Sequence, residues 1–190
     1  MSTRTDLLVT AELLLRTKGY AAFSYADLAD EIGIKKASIH HHFPTKEHLG
    51  AAVIESYLFR FKKKLTLINE DSADVLARLK NFSEFFIDSS NSGALPLCGA
   101  LAAELSVLPE ALKQLTRQFF EVHLAWLKNN LALGQSLNVI KAELDPEALA
   151  RALLSVLEGG SFVAWALSEK VTDLVGFNLI LNSSVVPGRT

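Results

Sequence analysis

The chain lacks several things that would commit it to particular chemistries. Its 190 residues include a single cysteine, Cys98, so no intramolecular disulfide can form. The paired-cysteine framework of small secreted domains is therefore excluded, and a reducing, cytoplasmic setting is expected. No uncharged run approaches the roughly 18 residues that a membrane span requires. The apolar start, LLVTAELLL, is broken by Glu12 and followed by Arg16 and Lys18, which reads as an amphipathic helix and not an export leader. Alternating runs of strand type are missing. So are a glycine-rich phosphate loop, a nucleophile elbow and a metal-ligand spacing. These absences leave no support for an enzyme, and neither a cofactor nor a metal is expected.

What is present points to a packed, helical protein. Apolar residues make up 49% of the chain and charged ones 21%, enough to build a core and too apolar for disorder. The length suits a domain of about 50 to 60 residues joined to a larger one. The net charge of −2 conceals an asymmetry. Residues 1–64 carry ten Lys/Arg against seven Asp/Glu, and the remainder carries nine against 14. A basic front on an acidic body suggests that the front meets a polyanion.

Periodicity and punctuation predict helices almost throughout. The first runs from about Thr5 to Lys18, with Leu7, Leu8, Ala11, Leu14 and Leu15 on one stripe and Gly19 as its stop. Ser24 followed three residues later by Asp27 is close to a capping box, opening a helix that stops at Gly33. Another begins near Lys35 or Lys36 and ends at Phe43-Pro44; Thr45 then caps a long one to about Leu67. Two short helices joined by a tight turn with a glycine make a helix-turn-helix, here over about 24–43. Farther on, helices are expected over about Ala73–Asp88, Cys98–Val107, Pro109–Leu133, from Asp145-Pro146 onward, and over about Thr172–Leu181. The fold class is all-α.

Four of the five histidines lie in IGIKKASIHHHFPTKEHL. Consecutive helix residues point about 100° apart, so His40, His41 and His42 cannot converge on one metal from one helix. Zinc-binding helices pair histidines at i and i+4, and position 44 is proline. DNA contact fits better, because the second helix of a helix-turn-helix enters the major groove. Lys35, Lys36, Ser38, His40 and His41 populate the exposed face, while Ile39 and Phe43 turn inward. Histidine donates to or accepts from phosphates and base edges according to its protonation. His42, beside Phe43, is the one expected to cap the helix or fill the joint instead.

Those residues carry a family likeness. GYAAFSYADLADEIGIKKASIHHHFPTKEHL, residues 19–49, resembles the DNA-binding domain of the TetR/AcrR family of bacterial one-component transcriptional regulators. The matching features are the Gly-Tyr turn, the capping serine, Leu-Ala in the second helix, Gly-Ile at the turn, and His-Phe followed by Pro-Thr-Lys-Glu and Leu. The resemblance implies a DNA-binding domain over 1–65 and an effector-binding and dimerisation domain over 66–190. It implies that Ser24 and Ala26 approach the DNA backbone, that Lys36, Ala37 and Ser38 form the base-contacting end, and that Lys46 binds phosphate. His40 stands where the family most often has tyrosine, which would make DNA affinity sensitive to pH near neutrality.

The larger domain is read from physics and from the same resemblance. The helix from Asp145 and the final helix are apolar on more than one face, so a stripe remains that either the chain's own core or a second copy covers. Gly159, Gly160 and Ser161 allow a close helix approach or a bend. Family likeness favours a homodimer through these last two helices. Aromatic residues including Phe82, Phe85, Phe86, Phe119, Phe120, Trp126, Phe162 and Trp165, with His123, form either ordinary core or the wall of an effector pocket. Phe119, His123 and Trp126 make an i, i+4, i+7 row, and with Phe86, Cys98 and Phe162 they are the pocket candidates. Cys98, where a loop enters a helix, is either an activated thiol or a small buried hydrophobe. The expectation is a homodimeric repressor that binds a palindromic operator and is released by a small, largely apolar effector. A redox or electrophile sensor acting through Cys98 is the alternative.

Overall fold

A computed structural model describes residues 3–171 and 174–188, without the side chains of Thr3 and Ser90. Within the described residues the chain forms nine α-helices and no strand: α1 Thr3–Lys18, α2 Tyr25–Ile32, α3 Lys36–His42, α4 Lys46–Asp71, α5 Val75–Asn91, α6 Leu97–Ala103, α7 Glu110–Ser136, α8 Pro146–Leu167 and α9 Val175–Ser184. A lone antiparallel bridge joins Ile140 to Val185. The expected start of the last helix, Thr172, lies outside the described residues.

The helices gather into two compact units. The first holds residues 1–60 and 94–119, the second residues 61–93 and 120–190. Packing thus differs from a simple division at residue 65, because α6 and the start of α7 fold with the first 60 residues. The reason is long-range bonding that no local pattern shows. Arg16 Nε donates to the carbonyl of Leu95 at 2.7 Å, and the amide of Ala21 donates to Glu104 Oε2 at 2.8 Å. Leu97, Leu101, Leu108 and Leu112 join the core built by Leu7, Leu15, Phe23, Leu28, Ile39 and Leu49.

In the first unit, local chemistry fixes the short helices. Ser24 accepts from the amides of Ala26 and Asp27, and Asp27 reaches back to the Ser24 amide at 2.7 Å, so the capping box is complete. Gly33 ends α2 with φ of 76°, a left-handed conformation that costs a glycine little. Thr45 Oγ1 accepts from the amide of His48 at 3.2 Å and caps α4.

The second unit contains α5, α8 and α9 and the later part of α7. Helix α8 packs on α5 and α9, and its Asp145 caps the amides of Glu147 and Ala148 with Pro146 in the first turn. It is long and apolar enough, by length and composition, to cross a bilayer, and its Leu149, Leu153, Leu154 and Leu157 are buried within the unit. It runs unbroken through Gly159-Gly160-Ser161. Helix α4 continues past its expected end at Leu67, to Asp71. Arg78 explains the stop: its guanidinium donates to the carbonyls of Ser72 at 2.6 Å and Asn69 at 3.0 Å, satisfying the end of the helix.

Candidate nucleic-acid interface

The candidate recognition surface is built by the short helix α3. Ile39 is buried and Phe43 follows it into the core, so the opposite face is turned to solvent. Lys35, Lys36, Ala37, Ser38, His40 and His41 are all exposed. Ala37, Ser38, His41, His42 and Ile34 line a concavity of about 470 Å³ on this surface. His42 therefore shares the wall with His41, its ring 5.4 Å away edge-on, and is not confined to the joint.

His40 is held more tightly than its exposure suggests. Its Nδ1 lies 3.3 Å from the carbonyl oxygen of Pro44. A carbonyl only accepts, so Nδ1 carries a proton there. The neutral ring then offers an acceptor at Nε2, and only the imidazolium offers a donor to a phosphate. Its ring also meets Tyr25 edge-on at 4.9 Å. The sequence pattern does not single out Tyr25. Its hydroxyl donates to the carbonyl of Phe43 at 2.9 Å, tying α2 to the end of α3. Burial, with Tyr20 nearby, pushes that phenol up to about 12, so it remains a donor at any physiological pH.

Ser24 and Ala26 flank the start of α2. Hydrogen bonds from the Ser24 and Lys18 side chains hold the Asp27 carboxyl well below the usual carboxylate range. Lys46 opens α4, as the resemblance implies. Its Nζ donates to the carbonyl of Phe23 at 2.5 Å and sits over the rings of Tyr20 and Phe23, 4.6 and 4.5 Å from their centroids. Burial lowers its pKa, while the Glu104 and Asp27 carboxylates act against that shift. An ammonium has three donors, so two remain for a phosphate.

The pocket candidates fall in both units. In the second, Phe82, Phe86, His123 and Trp126 form one aromatic cluster, with Trp126 stacked on Phe82 at 5.2 Å and His123 edge-on to Phe82 at 5.7 Å and to Phe86 at 6.4 Å. His123 also stacks face-on upon Phe61 at 4.0 Å; Phe61 is a member that its place in the sequence does not suggest. Phe162 is half-buried on α8. Phe119 and Cys98 belong to the first unit, where Phe119 meets Tyr57 at 5.4 Å and Cys98 is fully buried. Among the described residues no group of three or more His, Cys, Asp or Glu could hold a metal.

Comparison with known proteins decides what this arrangement is. Residues 7–53 match the family described as bacterial regulatory proteins, tetR family. Over 141 residues the chain is 30% identical to the HTH-type transcriptional regulator CymR of Pseudomonas putida, covering 72% of this chain and 69% of that one. The chain belongs to the TetR family. It is a DNA-binding transcriptional regulator of that family, not an enzyme. Another relative is the HTH-type transcriptional repressor DhaR of Mycobacterium sp. (strain GP1), 25% identical, with 75% of this chain and 72% of that one covered. The crystal structure of a TetR transcriptional regulator from Legionella pneumophila superposes with a TM-score of 0.88 at 29% identity, over 97% of this chain and 98% of that one.

Proposed function

We propose that this TetR-family regulator is a cytoplasmic repressor that binds a palindromic operator as a homodimer and leaves it when a small effector binds the region 66–190. The observation that carries the reading is the face of α3. Its lysines, Ser38 and His41 are exposed together while Ile39 and Phe43 anchor the helix. Lys35 and Lys36 supply charge for phosphates; Ser38 and His41 have the donors and acceptors that read base edges.

Two features of the second unit support a dimer. Ala152, Val156, Gly159, Gly160, Val163 and Leu167 recur on one stripe of α8, where Val163 is 59% and Leu167 60% exposed. On α9, Val175 and Leu179 are 60% and 66% exposed. A side chain built at Gly159 or Gly160 would meet no atom within 4 Å, so the chain's own packing does not require these glycines. A second copy laid against bare backbone would. Two recognition helices about 34 Å apart would then match the half-sites of a palindrome. The relative DhaR is named a repressor, which favours repression. Burial of Cys98 favours the packing role for that thiol over a sensing one.

The test is affinity for DNA upstream of the protein's own gene against an unrelated fragment, across a salt series. Selective binding with a steep salt slope is expected. Equal, weak binding to every fragment, including libraries of random sequence, would overturn it.

A further inference from the structure

On the second unit, between α7 and α8, lies a hollow of about 380 Å³ walled by Phe120, Leu124 and Leu154, with Ser155, Arg151 and Glu158 completing it. Glu158 is unusual in this wall. As a residue it is only half-buried, yet both its carboxylate oxygens are screened from solvent and have no hydrogen-bond partner among the described residues. Arg151 does not serve: it is engaged with Glu147, 3.1 Å away. Burial alone pushes the Glu158 carboxyl up to about 7. A screened carboxylate without a donor is costly, and buried polar groups are nearly always satisfied. No side chain of α7 or α8 supplies a donor to it.

We infer that the hollow is a ligand site for a small organic cation: an apolar body of about one ring against Phe120, Leu124 and Leu154, with an ammonium or similar N–H donor on Glu158. The volume is at the lower end of ligand sites, and three apolar walls with one acid give both area and orientation. The reading of the region 66–190 as effector-binding is deepened by this, and rests on it for the consequence at DNA. The effector would be amphipathic and cationic, not simply apolar.

Binding is measured on the full chain without DNA, by calorimetry at pH 8, so its failure is separate from failure at the operator. The probes are 2-phenylethylammonium and 3-phenylpropionate, alike in shape and opposite in charge. The ammonium should bind, at least tenfold more weakly to Glu158→Gln, while the carboxylate should not bind. Circular dichroism checks that the variant is folded, and Glu158→Asp, which keeps the charge, should retain part of the affinity. Absence of ammonium binding, equal binding of the two probes, or undiminished binding to Glu158→Gln overturns the site. Sedimentation is run alongside. A Glu158→Gln variant that changes only self-association would assign the donor to a second copy, and that also overturns it.

Discussion

Lys46 Nζ donates to the carbonyl oxygen of Phe23 at 2.5 Å, across the joint between the turn before α2 and the start of α4. The lysine expected to hold phosphate is therefore also a brace of its own domain. Removing it should do two things at once. Lys46→Ala should weaken binding to every DNA sequence and lower the salt slope by about 1 for each phosphate left without its cation. It should also cost about 1 kcal/mol of stability, a few degrees in Tm. Lys46→Met keeps a long apolar side chain beside Tyr20 and Phe23 but has no donor for the Phe23 carbonyl, so it should recover only part of the stability and none of the affinity. Equal DNA binding by all three proteins in fluorescence anisotropy would remove Lys46 from the interface.

Ser38 and His41 share one concavity on the exposed face of α3. Substituting either by alanine should change which bases are preferred, by about 1 to 3 kcal/mol at the affected position, and leave the salt slope unchanged. Selection from a randomised operator library reads this directly. Unaltered preference in both variants would mean that the helix contacts only the backbone.

The α2 cap makes a prediction about acid. Asp27 is held well below the usual carboxylate range by Ser24 and Lys18. Its folded value lies below its unfolded one, which is about 3.9. The stabilisation is present in full above that value and is lost as pH falls through it toward the folded value. Ser24→Ala should lower Tm at pH 7, by about 1 kcal/mol of cap energy, and lose part of its disadvantage at pH 3. A difference independent of pH would mean that the cap acts without Asp27.

The parts of this protein legible in sequence are those set by neighbours in the chain. Ser24, Asp27 and Gly33 punctuate α2 where they stand, and the four-residue spacing of Ile39 and Phe43 orients α3. The cap at Asp145-Pro146 is equally plain. What is not legible depends on residues far apart. Arg78 closes α4 from the next helix, and Glu104 binds the Ala21 amide across 83 positions, drawing α6 to the first unit. The row Phe119, His123, Trp126 has helical spacing, yet its members face Tyr57, Phe61 and Phe82 respectively. Periodicity gives a face; it does not give the partner. Glu158 leaves a faint signal, a lone acid in the apolar stretch from Ala152 to Leu167, which passes for an ordinary surface residue.

The bare stripe of α8 and α9 gives a test of assembly. Val163 and Leu179 are exposed on described surfaces of the second unit, so a charge at either should leave the monomer folded. Val163→Asp together with Leu179→Glu should produce monomers by sedimentation with unchanged helicity. Operator affinity should fall by two orders of magnitude or more, since each half-site would then be bound alone. Variants that remain dimeric would place the self-association surface elsewhere.

Glu158 links stability to pH with the opposite sign from Asp27. Burial raises its carboxyl to about 7, above its unfolded value of about 4.3. Between those two values the folded chain holds a proton that the unfolded chain has released, so stability declines as pH rises through the window and stays lower above it. The full loss is on the order of 3 kcal/mol, from a shift between two and three pK units. Glu158→Gln carries no such proton and should not decline. At pH 5 the two proteins should melt within a few degrees of each other, and at pH 8 the variant should be the more stable by roughly 5 °C or more. Adding 2-phenylethylammonium at pH 8 should raise the Tm of the unsubstituted protein and not of the variant, because only the ionised carboxylate has something to gain from a cation. Parallel melting curves at every pH would mean that Glu158 already has a donor, and the hollow would lose its ligand.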